Sequence, residues 1–208
     1  MRIDLAGVPF IGGALALGLL SGAALGWALA VPFLLLGAFF VFFFRDPRRR
    51  APSGDDAVLS PADGRVLVAG AAAADSTPPG SWQQVSIFLS PMDVHVNRIP
   101  VSGRVMRVSF TRGRFLPAFR HEASSANERS EVWIDHAGKT VIARQIVGLL
   151  ARRVVCRVRP GAEVRAGDRF GIMKFGSRMD VFLPSTATIT IKVGDIVRGG
   201  ETIIALLH

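Results

Sequence analysis

Between Asp4 and Arg45 the chain carries no charged side chain, so residues 5–44 form a 40-residue neutral, mostly apolar run. A stretch this long can shed water only inside a large core or a bilayer. The run breaks naturally near Ser21-Gly22. Its first half, Leu5 to Leu20, has 16 residues and as a helix would rise about 24 Å, short for a hydrocarbon core of roughly 30 Å. Its second half, Ala23 to Phe44, has 22 residues and is long enough to span. Arg2 and Asp4 cancel, and the run far exceeds a signal core, which argues against a cleaved leader. Arg45, Arg48, Arg49 and Arg50 follow at once and place that end on the cytoplasmic side of a membrane. The expectation is a hydrophobic helical hairpin, spanning or deeply inserted, that occupies residues 1–50 and anchors a cytoplasmic domain.

Residues 51–208 are of another kind. Ala51 to Asp56 reads as a polar linker, and after it helical periodicity nearly disappears. Short β-branched runs at 66–68, 84–89, 103–110, 131–134, 140–143 and 154–158 are punctuated by Gly and Pro, which predicts a mainly β domain. Residues 112–129, rich in Arg, Ser and Ala, form a loop or short helix instead. Gly161 to Met173 is echoed by Gly194 to Leu206, each with a Val three residues after its first Gly and a second Gly six residues on. Two such turns on either side of Lys174–Ser177 resemble the barrel-sandwich of biotinyl and lipoyl domains. The net charge is +9, and only three of 25 basic residues are Lys. Guanidinium groups suit phosphate, and beside a membrane segment anionic lipid is a better partner than nucleic acid. A single cysteine, Cys156, excludes an intrachain disulfide.

Few residues can carry chemistry. Gly176-Ser177 lies between two apolar runs; it is either a turn or a site where the Ser177 hydroxyl attacks the carbonyl before it. Asp63, within Ser60-Pro61-Ala62-Asp63-Gly64, either bonds its own turn or orients a histidine. Of four histidines, His95 sits in an alternating stretch between prolines with Asp93, Asn97 and Arg98 close by, a setting for a structural histidine or for acid–base work. No grouping has convincing metal-ligand spacing, so no metal is expected.

The set as a whole is specific. Ser60 to Gly64, Met92-Asp93-Val94-His95-Val96-Asn97-Arg98-Ile99-Pro100, Asn127-Glu128-Arg129 and Phe175-Gly176-Ser177-Arg178 stand in the order found in phosphatidylserine decarboxylases. The chain resembles the short bacterial and archaeal form of that pyruvoyl-dependent family over residues 45–208. The resemblance implies a proenzyme that cuts itself at Gly176-Ser177 into a β chain, 1–176, and an α chain, 177–208. His95 would act as base, with Asp63 orienting it, and Ser177 would become a covalent pyruvoyl group. That group would form a Schiff base with phosphatidylserine and release carbon dioxide, leaving phosphatidylethanolamine. Arg98, Arg112 and Arg114 are candidates for the lipid phosphate. Longer members carry His-x-x-His where this chain has His95 and Arg98, so one histidine role moves to His95 or elsewhere, with His121 a substitute. The two chains would stay together as a heterodimer, with further dimerisation open.

Four other readings compete. Ile172-Met173-Lys174-Phe175 resembles the modified lysine tip of a biotinyl or lipoyl carrier. A membrane-tethered β adaptor would need no chemistry, and an archaetidylserine decarboxylase would share every motif. A pyruvoyl decarboxylase for a soluble amino acid leaves the run at 5–44 without purpose.

Overall fold

A computed structural model describes residues 2–73, 77–120, 122–148, 154–174 and 177–208. They divide into two units, Met1–Arg48 and Arg49–His208.

In the first unit a 3₁₀ turn, Leu5–Gly7, leads into α1 (Val8–Leu25), and α2 (Trp27–Phe43) runs back beside it. The expected break at Ser21-Gly22 falls inside α1. Ser21 Oγ donates back to the Gly18 carbonyl at 3.1 Å, and a Cβ on Gly22 would stand 3.2 Å from Ala30, so this glycine serves close helix packing rather than a turn. The reversal occurs at Gly26, whose φ of +98° suits glycine. The longer apolar segment is therefore the first: Leu5–Leu25, 21 residues, is long and apolar enough to cross a membrane, whereas α2 has 17 residues. Both ends are tied together, since β1 (Arg2–Ile3) pairs with β2 (Arg45–Asp46) and Asp4 N–H donates to the Phe44 carbonyl. Leucines on the outer faces, such as Leu20 and Leu35, remain exposed, as lipid-facing side chains do.

The second unit is mainly β, as expected, and the sequence echo is a structural duplication. One half comprises β3 (Ala57–Leu59), β4 (Gly64–Ala71), β5 (Trp82–Leu89), β13 (Ser177–Pro184), β14 (Thr188–Ile189), β15 (Ile196–Val197) and β16 (Ile203–Leu206). The other is inserted within it: β6 (Val96–Arg98), β7 (Gly103–Thr111), β8 (Arg129–His136), β9 (Lys139–Ile146), β10 (Val154–Cys156), β11 (Glu163–Val164) and β12 (Arg169–Met173). A short helix, α3 (Ala123–Ala126), lies between β7 and β8. The eight-stranded sheet reads β11-β7-β8-β9-β13-β5-β4-β15, the same from either end, and each half adds a three-stranded sheet, β10-β12-β6 or β14-β16-β3.

The halves match bond for bond. Val66 N–H donates to Asp195 O and Gly194 N–H to Val66 O; Val105 N–H donates to Ala162 O and Gly161 N–H to Val105 O. Gly64 and Gly103 open the equivalent strands at φ of +151° and +152°, where an added Cβ would fall 2.1 Å from Phe88 O and 2.0 Å from Asp135 O. Only glycine fits either place. Alternating Val85, Ile87, Val132, Ile134 and Val181 then meet Phe170 and Ile204 in one buried core.

Candidate active site

The chain crosses between the halves twice, at 90–95 going out and at 174–176 coming back. Both crossings are pinned at both ends. Ser177 pairs with Leu89 where the first half ends, and Ile172 pairs with Val96 where the second begins. Met173 N–H also donates to the His95 carbonyl at 3.2 Å. Asp93 folds the outbound segment by accepting from Ser90 N–H at 2.8 Å. His95 is fully buried between Val94 and Val96. Gly176, Phe175, His121 and the side chain of Ser177 lie outside the described residues.

The motif at 60–64 meets the motif at 92–100 through the main chain: Arg98 N–H donates to Pro61 O and Leu59 N–H to Pro100 O. Asp63 accepts from Gly199 N–H at 2.7 Å and from Arg49 at 2.6 Å, and Arg49 also holds Glu201 at 2.9 Å. The Gly199 bond belongs to the duplicated frame, because Ser102 Oγ accepts from Ala166 N–H at the equivalent position of the other half. The charge is what distinguishes Asp63. Burial pushes its carboxyl above the usual carboxylate range, against the pull of Gly199 N–H and Arg49. Gly199 and Glu201 lie C-terminal to Ser177 in the chain, so Asp63 and Arg49 bind that segment to the N-terminal part.

Arg98 is buried, and its guanidinium donates to Gly167 O at 3.0 Å. Arg112 and Arg114 are exposed on the loop between β7 and β8. Asn97 accepts from Gln145 Nε2 at 2.8 Å in a buried amide pair beside Gly171.

Beneath the start of β13 lies a network that the motif reading passed over. Arg178 Nε donates to Asp180 Oδ1 at 2.6 Å, and both side chains are buried. Asp180 Oδ2 accepts from Ser124 Oγ at 2.6 Å and Gln84 Nε2 at 3.1 Å. Arg178 Nη2 reaches Ser86 Oγ at 2.9 Å and its Nη1 the Arg120 carbonyl at 3.4 Å. Arg144, bound to Glu131 at 2.6 Å, faces the same carboxylate, and burial pulls its guanidinium down. The available signal was two opposite charges two apart in an apolar strand, which share one face. Asn127, quoted above only within a motif, is fully buried. Its Nδ2 donates to Leu116 O and Val147 O, both at 2.8 Å, while Oδ1 accepts from Leu116 N–H at 2.9 Å. These bonds staple the β7–β8 loop to the sheet.

Comparison with known proteins gives one family. Its model, described as Phosphatidylserine decarboxylase, matches residues 36–205. A phosphatidylserine decarboxylase proenzyme of Nitrosomonas europaea is 43% identical over 203 residues, covering 97% of this chain and 94% of the relative. The proenzyme of Chlorobaculum parvum is 42% identical over 183 residues, 88% and 85% of the two chains. That of Desulfotalea psychrophila is 40% identical over 199 residues, 95% and 93%. With the motifs in order on a duplicated β body, the chain belongs to the phosphatidylserine decarboxylase family of enzymes.

Proposed function

We propose that this chain decarboxylates phosphatidylserine to phosphatidylethanolamine after cutting itself between Gly176 and Ser177. The observation that carries this reading is the crossover, where Leu89 pairs with Ser177 and the His95 carbonyl receives Met173 N–H. Strand pairing on both sides of residues 175–176 supports attack by the Ser177 hydroxyl on the carbonyl before it, a step that needs geometry more than binding energy.

In maturation Ser177 Oγ attacks the Gly176 carbonyl carbon, the C–N bond breaks, and an ester replaces the amide. Loss of the Cα proton then expels the Gly176 carboxylate and leaves a dehydroalanine, which takes up one water and releases one ammonia. The new terminus is a pyruvoyl group. A hydroxyl needs a base to attack at neutral pH, and His95 is assigned that role. Asp63 serves as the orienting carboxylate, its proton affinity raised by burial against the pull of Gly199 N–H and Arg49. The pyruvoyl group would supply an electrophilic carbonyl for the substrate amine and an electron sink for the departing carbon dioxide. His95 again holds the proton that the product carbon receives. Cut chains stay together because β13 lies between β5 and β9, both from the other side of the cut.

The apolar N-terminal helices fit a membrane-bound enzyme, and the arginines at 45 and 48–50 favour a cytoplasmic β unit. Intact-mass measurement of the purified chain tests the proposal. The expected result is two chains that meet at 176 and 177, the second blocked at its terminus, with Ser177→Ala uncut and inactive and His95→Gln cut slowly. One uncut chain with a modified Lys174 would mark a carrier and overturn the reading.

A further inference from the structure

The β7–β8 loop is built in a way that catalysis at residue 177 leaves unexplained. Among the described residues of this unit, the exposed phenylalanines are Phe110 at 56%, Phe115 at 38% and Phe119 at 65%, all on one eleven-residue stretch. Arg112, Arg114 and Arg120 are interspersed among them and exposed. Apolar rings and guanidinium groups alternating on one exposed loop are costly in water and suited to a surface that is apolar inside and anionic at its rim.

The loop is also anchored to the strand that begins at Ser177. One row of register partners runs across the sheet from Thr111 to Arg129, Ile146, Arg178 and Phe88. Three strand spacings of about 4.8 Å put the root of the loop roughly 14 Å from Arg178. Arg178 Nη1 donates to the Arg120 carbonyl, and Ser124 Oγ donates to Asp180, the second residue beyond Arg178. Asn127 closes the base, and a Cβ on Gly113 would collide with Ala126 O at 2.5 Å, so the two legs lie against each other. Met92, 64% exposed, stands on the outbound crossing that also carries His95, four residues beyond Phe88 in that same row.

We propose that residues 110–120 form a lipid-docking finger, separate from the N-terminal hairpin. Phe115 and Phe119 enter the acyl region of an anionic bilayer while Arg112, Arg114 and Arg120 hold phosphates at its surface. This rests on the phospholipid reading of the active site and adds to it how a membrane-embedded substrate reaches residue 177. Charge complementarity selects the occupant: three cations around the rings match an anionic headgroup layer and not a second copy of this basic chain.

The test uses the full chain in vesicles of phosphatidylcholine and phosphatidylglycerol that contain a lipid-attached spin-label quencher. An environment-sensitive fluorophore is attached at Phe119→Cys, with Cys156→Ala removing the native thiol, whose reactivity burial already depresses. The control is Ser185→Cys, one residue past the far end of β13. Quenching at 119 with none at 185 is the expected result. No quenching at 119, or equal quenching at both, overturns the finger. So does a spectral shift that follows protein concentration without lipid, which assigns the loop to self-association. Because the measurement works equally in the uncut Ser177→Ala chain, its failure is distinct from failure of the proposed chemistry. Replacing Phe115 and Phe119 by serine should lower the ratio of turnover in vesicles to turnover in detergent micelles about tenfold; an unchanged ratio also overturns the proposal.

Discussion

Asp180→Ala is the most demanding perturbation of the structure beneath the proposed cut. It removes the anionic partner of Arg178 at 2.6 Å and the acceptor for Ser124 and Gln84, all in buried surroundings. Among the described residues Arg178 would keep only neutral acceptors, Ser86 Oγ and the Arg120 carbonyl. Breaking a buried pair by deleting one member costs about 3–5 kcal/mol, because the remaining charge is left uncompensated. For a unit of this size that corresponds to a fall in melting temperature of roughly 6–20 °C. Asp180→Asn keeps the shape and the neutral hydrogen bonds and should lose about 1–2 kcal/mol less. Replacing both members, Arg178→Met with Asp180→Leu, should recover most of the loss, since well-packed apolar pairs equal or exceed buried ion pairs. The measurement is denaturant unfolding of the uncut Ser177→Ala chain in detergent, followed by near-ultraviolet circular dichroism. The rings of Trp82 and Trp133, 6.4 Å apart, supply the signal from the β unit. An Asp180→Ala chain within about 1 kcal/mol of its parent would refute the reasoning, as would a double replacement worse than the single one.

Two other perturbations address the loop and the acid. Asn127→Ala deletes three hydrogen bonds to main-chain groups and should destabilise the unit by about 2–4 kcal/mol, with hydrogen exchange rising first at Leu116 and Val147; protection unchanged there would count against the staple. Asp63 binds its proton more tightly folded than unfolded, so its share of stability is complete below its ordinary pKa of 3.8 and is lost as pH rises through the raised folded value. Asp63→Asn cannot lose that proton. The melting temperature of the variant minus that of the parent should therefore climb as pH rises above the ordinary carboxylate range, and a flat or falling difference would contradict the raised value.

Much of this protein is legible one residue at a time. Absence of charge over residues 5–44 dictates burial away from water, and β-branched runs broken by Gly and Pro dictate strands; both are local properties of the chain. Motif order sufficed for the family, and the echo at 161 and 194 announced a repeat. Tertiary structure decided the rest, because it depends on what each residue meets. Gly22 and Gly26 are alike in sequence, yet one packs a helix and the other turns it, since only packing tells a close approach from a positive φ. Asp63 stands out in the sequence as a candidate partner for a histidine, whereas its bonds to Gly199 N–H and Arg49 are set by the duplicated frame. Arg178 stands in the sequence only as the end of a motif and Asp180 carries no signal of its own; strand pairing is what buries them against Ser86, Gln84 and Ser124. The sequence by itself singled out Ser177 as the candidate for chemistry, whereas the strand pairings on either side of it exist only because one half of a duplicated sheet is inserted into the other.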